Sequence, residues 1–288
     1  DRIESQTAQN GEVFRCVHII VEKELERVLR SSHKEQIDWF SNSLDVKLQP
    51  EAKLMSSFLE LCERRNLFAH TGGIVNQQYI EKCKRIGFNT ENMRAGDVIS
   101  ADIKYFQNSV DTVIEMAFQL VSTIWNILEP DSSSDISKSL INITYSLIEE
   151  EKYELAIRLI KFITSNKSFK MDASIRMTHT INCANAMKLS KVGGHEDLVN
   201  AVDWSAASNL FVLCKDAVLD DVDSVCMRLE IAVKSKEIQE EQVREWPVFK
   251  GIIENKKFQD KFEEIFGQPI LKTSVVNKLP STKAKINN

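Results

Sequence analysis

The stretch Glu63-Arg64-Arg65-Asn66-Leu67-Phe68-Ala69-His70-Thr71-Gly72-Gly73 decides how the rest of the chain is read. It follows Leu54, Phe58, Leu61 and Cys62, whose three-to-four spacing predicts an amphipathic helix. Pro50 suits that helix's first turn. Gly72-Gly73 supplies its end, because glycine accepts the left-handed conformation that closes helices. Arginine, a carboxamide and histidine thus fall within six residues at a helix C-terminus.

A helical wheel separates the two arginines. With Cys62 as the origin and about 100° per residue, Arg65 lies near −60°, Asn66 near +40° and His70 near +80°. Arg65 therefore continues the apolar stripe, and Asn66 and His70 are i, i+4 neighbours at its edge. Arg64 points almost the opposite way and is expected to be solvated. An arginine on an apolar stripe needs a partner, a cleft or an interface. His70, in the last turn, feels a dipole that favours its protonated form. A cation beside a proton carrier suits phosphodiester chemistry, since arginine grips phosphate and histidine moves the proton. Spacing alone is weak: Arg27 to His33 repeats it, but lies off the apolar stripe and across Ser31-Ser32, and reads as surface.

Outward from this stretch, helical periodicity dominates. Phe14, Val17, Val21, Leu25 and Val28 predict a first helix with one core-facing stripe, and a shorter amphipathic segment follows around Trp39, with Leu44 and Val46 beyond. Gln77 to Ile86 predicts a short helix before Gly87, and Ile103 to Ile127 a helix of about seven turns. Glu129-Pro130-Asp131-Ser132-Ser133-Ser134-Asp135 joins a helix breaker to a serine run and predicts a linker at 131–136. The expected organisation is therefore a helical domain over 1–130 and a second over 137–270. Its helices are Leu140–Leu147, Tyr153–Ile163, Ile175–Leu189, Trp204–Leu213 and Val218–Ile231, with a turn at Gly193-Gly194. A cap follows at Trp246-Pro247 and Phe258–Phe266. Residues 271–288 are polar and lysine-bearing and read as a disordered tail.

Composition bounds the answer. With 288 residues, 43% hydrophobic, 9 Gly and 5 Pro, the chain has a sizeable core and few of the turns an all-β protein needs. A net charge of −5 argues against a surface that coats nucleic acid. Locally the balance reverses. Residues 64–104 hold seven bases, Arg64, Arg65, Lys82, Lys84, Arg85, Arg94 and Lys104, against four acids, a net of +3. The six cysteines show no metal-ligand spacing and read as reduced thiols, mostly buried, which suits the cytoplasm. No apolar run is long enough to span a membrane and no signal peptide opens the chain, which begins at Asp1 as though sequence precedes it.

Arg65-Asn66-Leu67-Phe68-Ala69-His70 resembles the R-N-x-x-x-H motif of the HEPN superfamily, and Thr71-Gly72-Gly73-Ile74-Val75-Asn76 looks like one bacterial branch of it. Residues of about 12–130 carry this resemblance. Beyond it, Glu150–Ile163 resembles a tetratricopeptide-type helix without a clean period. Asp203-Trp204-Ser205-Ala206-Ala207-Ser208 and Glu245-Trp246-Pro247-Val248-Phe249 resemble a helical region that accompanies such domains. The resemblance implies an all-α chain, a HEPN-like bundle followed by a tetratricopeptide-like array. It also implies a metal-independent, cofactor-free endoribonuclease serving as a toxin or antiviral effector. The 2′-hydroxyl of RNA attacks the adjacent phosphate, leaving a 2′,3′-cyclic phosphate and a 5′-hydroxyl. His70 would transfer the proton, Arg65 stabilise the phosphorane, and Asn66 orient one of them. Arg64, Lys82, Lys84 and Arg85 would meet the RNA backbone. One histidine cannot readily be both base and acid, and the family's answer is a homodimer. An antitoxin, regulator or trigger protein would engage the C-terminal helices. The competing reading is a catalytically silent dimeric scaffold that binds a protein partner.

Other residues read more plainly. His18 is expected to be packed beside the first stripe, and His179 and His195 stand alone. Asp220-Asp221-Val222-Asp223 offers a cation no recognised ligand pattern, and Trp39, Trp125, Trp204 and Trp246 suit core anchors.

Overall fold

The computed structural model describes residues 2–43 and 51–271, and among these the fold is all-α, with thirteen α-helices and no named strand. Leu44, Val46 and Pro50 lie outside the described residues, as does the expected tail from Lys272 onward. The chain divides into two compact units, residues 1–139 with 165–170, and residues 140–164 with 171–288.

The first unit contains α1 (Arg2–Arg30), α2 (His33–Ser43), α3 (Ala52–Thr71), α4 (Gln77–Arg85) and α5 (Ile103–Leu128). Side chains start several of these. Asn76 accepts from the Tyr79 N–H at 2.8 Å, and Asp102 from the Tyr105 N–H at 2.7 Å, which relieves unpaired donors at each N-terminus. At the other end of α3, Gly72 takes φ +63° and its N–H reaches Leu67 O, the predicted left-handed cap.

Two apolar stripes face solvent instead of a core. In α1, Val28 is buried, but Phe14, Val17, Val21 and Leu25 are all about half exposed or more, which corrects the expected core-facing stripe. His18 is correspondingly no packed residue; it stands exposed and meets Glu22 at 3.2 Å. In α5 the buried residues are Glu115, Met116, Phe118, Gln119 and Ser122, while Ile103, Phe106, Val113 and Val121 lie exposed. Period locates an apolar face without saying whether this chain covers it.

The serine run expected as a linker is helical. Pro130–Ser132 forms a 3-10 turn and α6 spans Ser133–Glu149, so the division between units falls inside this helix. Serine and acid suit a helix's first turn as well as they suit a linker, and Asp135 occupies that turn.

The second unit continues with α7 (Tyr153–Ser165), α8 (Ala173–Leu189), α9 (His195–Asn200), α10 (Asn209–Val218), α11 (Val222–Lys234), α12 (Glu240–Glu245) and α13 (Lys256–Phe266). Its core joins Leu213, Val225, Leu229, Phe249, Phe258 and Phe262. Trp204 precedes α10 in a turn, with its indole N–H on Val199 O at 2.9 Å. Val218–Ile231 is not one helix: Asp220 turns the chain at φ +57°, and Asp221 caps α11 by accepting from the Ser224 N–H. Within Asp220–Asp223 the other carboxylates are engaged by lysines, Asp220 by Lys188 and Asp223 by Lys257.

After α3 the chain doubles back on the loop before α5. Val75 N–H donates to Asp97 O at 2.8 Å, Gly96 N–H to Val75 O at 2.9 Å and Ile99 N–H to Gly73 O at 3.0 Å. The approach is tight at Gly73, where φ is +88° and an added Cβ would lie 2.8 Å from Phe68 Cε1 and 2.9 Å from Ile99 O. Nothing crowds Gly72. Gly72→Ala should therefore cost only about 1–2 kcal/mol, the left-handed penalty. Gly73→Ala should cost roughly 2–4 kcal/mol, because strain and overpacking add. Urea unfolding of the two variants measures the difference.

Candidate active site

The buried heart of the first unit is the carboxylate of Glu60, which is 2% exposed. It accepts hydrogen bonds from the Tyr79 hydroxyl on α4 at 2.6 Å and the Tyr105 hydroxyl on α5 at 3.0 Å. Arg64 Nε, one turn along α3, completes the set at 2.6 Å. The Arg64 guanidinium also lies over the Tyr105 ring, 4.0 Å from its centre, and donates through Nη1 to Ser100 O at 3.1 Å. Burial pulls the Arg64 proton affinity down, and Glu60 with the tyrosines raises it by more. Burial and the Glu60 hydrogen bond push the Tyr79 hydroxyl well above the usual phenol range.

This geometry corrects the wheel. Arg64 is not solvated: its side chain is 11% exposed, and its Nε and Nη1 are engaged by Glu60 and Ser100 O. The need for a buried arginine with a carboxylate partner is met by Arg64, and Arg65 is the exposed one. A single-stripe wheel fails because α3 packs on α2, α4 and α5 together. Four of its five buried residues, Ser56, Leu59, Glu60 and Leu67, fall within about 100° of arc centred well away from Cys62, and Leu54 lies apart from them. The legible signal was polar: Ser56, Glu60, Glu63 and His70 share one face with Leu67 at three-to-four spacing, and Glu60 and Glu63 meet Tyr79 and Lys82 of α4 from it.

The last two turns of α3 are open. Arg65, Phe68, Ala69 and His70 are exposed and Asn66 is half-buried. Arg65 Nη1 donates to Asn66 Oδ1 at 3.1 Å. Arg65 borders an apolar groove of about 480 Å³ between α3 and α5, with Leu61, Phe68, Phe106, Val110 and Val113. Asn66 and His70 border a polar cavity of about 420 Å³ between α3 and α4, with Glu63, Asn76 and Lys82. Asn66 thus stands at the junction, touching Arg65 on one side and sharing the polar cavity with His70 on the other.

The expected phosphate contacts divide. Lys82 borders the polar cavity but is ion-paired with Glu63 at 2.9 Å, a partner the sequence reading missed. Arg85 borders a neighbouring cavity of about 320 Å³ together with Asn66 and Lys82. Lys84 is exposed on α4 and lines neither. Cys62, beneath this surface, is half-buried, and burial pushes its thiol up to about 11, which leaves it a weak nucleophile. Among the described residues no three His, Cys, Asp or Glu side chains converge to hold a metal ion. At the similarly spaced Arg27 and His33, Arg27 is exposed and pairs with Glu24 at 2.6 Å, as its surface reading required.

Substitution separates the two arginines. Arg64→Ala strands Glu60 and should destabilise the chain by about 3–5 kcal/mol, whereas Arg65→Ala should change stability by less than about 0.5 kcal/mol. Thermal and urea unfolding of both variants test this, and equal losses would refute it. Compared with protein-family models, curated proteins and solved structures, the chain matches none of them.

Proposed function

We propose that this chain is a metal-independent endoribonuclease of the HEPN type, acting in the cytoplasm on RNA as a toxin or antiviral-defence effector. The observation that carries the reading is the division between adjacent arginines. Arg64 is engaged in the fold, so stability does not account for Arg65, which stands exposed against Asn66 near the exposed His70.

The chemistry follows from those groups. The 2′-hydroxyl oxygen attacks the adjacent phosphorus, and the new O2′–P bond forms as the P–O5′ bond breaks. A proton leaves the 2′-oxygen and one is delivered to the 5′-oxygen, so the products are a 2′,3′-cyclic phosphate and a 5′-hydroxyl. Arg65 stabilises charge on the non-bridging oxygens. His70 transfers a proton, and Asn66 holds the Arg65 fork. DNA lacks the attacking hydroxyl and is not a substrate.

Two proton transfers call for two carriers, and the second comes from the partner's His70 in a homodimer. The exposed apolar stripe of α5 supports such pairing. Phe106 is 65% and Val113 44% exposed, and both border the groove that Arg65 also borders. A monomer would leave this surface in water. Arg85 and Lys84 then meet the RNA backbone, with Lys82 joining when Glu63 releases it. The second unit receives the antitoxin, regulator or trigger. The cytoplasmic assignment is supported by free thiols, four of them buried, and by the absence, among the described residues, of a helix long and apolar enough to cross a membrane.

Purified chain should cleave RNA in EDTA and leave cyclic phosphate ends. His70→Ala and Arg65→Ala should each lower the rate by at least ~10²-fold with the fold intact by circular dichroism. Loss of cleavage in EDTA, or full activity of His70→Ala, refutes the mechanism. Phe106→Asp should yield a monomer by light scattering and abolish cleavage; an active monomer removes the dimer from the proposal.

A further inference from the structure

The second unit contains a cavity that the ribonuclease reading does not use. It measures about 270 Å³ and lies between α6, α8, α10 and the 3-10 turn Pro247–Phe249, wholly within that unit. Benzene binds in an apolar cavity of roughly 150 Å³, and drug-sized ligands occupy roughly 300–1,000 Å³. The space therefore suits a ligand the size of two fused rings.

Its walls are of two kinds. Tyr145 on α6, Phe211 on α10 and Trp246 supply aromatic surface, and α8 supplies Asn182 and Asn185. A three-residue step puts these two carboxamides side by side on one helix face. Asn185 is 3% exposed, and no hydrogen bond joins its side chain to another described residue. Asn182 Nδ2 is buried and has no acceptor among the described residues. Buried amides normally have partners, and packing alone does not call for a polar pair in an otherwise apolar wall. A ligand with both a donor and an acceptor along one edge accounts for the two carboxamides.

Charge narrows the class. No lining residue is charged, so an ionised group would lose its water on entry and gain no partner. Beyond the lining, two exposed acids stand near Tyr145. Burial, then the carboxylates of Glu149 and Glu245, push its hydroxyl up to about 12. A phosphate on this side would meet like charge. The matching ligand is flat and uncharged, apolar on both faces, with donor and acceptor on one edge. Purines have this form: asparagine pairs bidentately with an adenine edge, and aromatic or apolar side chains hold an extruded base by stacking.

We propose that the cavity between α6, α8 and α10 binds an uncharged purine, as free base or nucleoside, with its heteroatom edge on Asn182 and Asn185 and its rings beside Tyr145, Phe211 and Trp246. The second unit is then a small-molecule receptor, which its ligand stabilises by mass action.

The test titrates the full chain with adenine, adenosine, AMP and indole by isothermal calorimetry. Adenine or adenosine should bind with a dissociation constant below about 1 mM. AMP, and indole with its two rings but no acceptor edge, should bind at least about tenfold more weakly. No binding of either adenine or adenosine, or AMP or indole binding as tightly, overturns the proposal. Asn182→Ala and Asn185→Ala should each weaken binding at least about fivefold, and unchanged affinity in either overturns it as well. Circular dichroism checks that both variants fold; should one fail, adenine against indole on the unaltered chain still decides. Photolabelling with 8-azidoadenosine should mark peptides around Tyr145, Phe211 or Trp246, and labelling confined to the first unit overturns the site. His70→Ala, proposed as inactive on RNA, should bind purine as the unaltered chain does, so the two proposals fail separately. A loss of purine binding in that variant overturns this one.

Discussion

The first unit is built around a carboxylate that has left water. Glu60 alone would be prohibitively placed, since an unpaired buried charge costs far more than a helix turn contributes. Three donors from three helices remove that cost, two phenols and one guanidinium, and in doing so they fix α3, α4 and α5 against one another. The cation is held on its other face by the Tyr105 ring, so the network has little freedom to rearrange. Everything exposed at the end of α3 depends on this anchor, because Arg65 and Asn66 follow Arg64 directly.

A buried ion pair is seldom the most stabilising choice for a core, and hydrophobic replacements of equal volume often do as well. Its contribution here is geometric. Leucines at 60 and 64 would hold α3 against α5 through contacts that tolerate a shift, whereas hydrogen bonds of 2.6–3.0 Å set rotation and height together. Rotation matters on this helix. Turning α3 by one residue's arc would exchange the surroundings of Arg64 and Arg65, burying the group proposed for phosphate and exposing the one that holds the fold.

Much of this was legible in the sequence, and the rest was hidden for identifiable reasons. Periodicity located α4, α5 and α8 within a few residues, and Gly72 closed α3 as its backbone freedom allows. Periodicity could not say which apolar stripes are covered. Phe14, Val17, Val21 and Leu25 read as a core-facing stripe yet lie open, as do Ile103, Phe106, Val113 and Val121 on α5, because burial depends on what packs against a helix and not on its own pattern. The wheel put Arg64 in solvent and missed its burial, since Glu60, Tyr79 and Tyr105 are far apart in sequence and converge only in space. Gly73 is a similar case: a second glycine reads as redundant until Ile99 O is found where its Cβ would stand.

The short backbone pairing of Gly73–Val75 with Gly96–Ile99 has a mechanical consequence. These hydrogen bonds tie the exit of α3 to the entrance of α5, and Glu60 bolts the same two helices together a few turns away. With two separated fastenings, α3 and α5 form a single stiff lever and not two rods on a loop. A grip on the α5 surface therefore also steadies the turn that carries His70, more than 30 residues away along the chain. Loosening either fastening would let the histidine wander without altering any group around it.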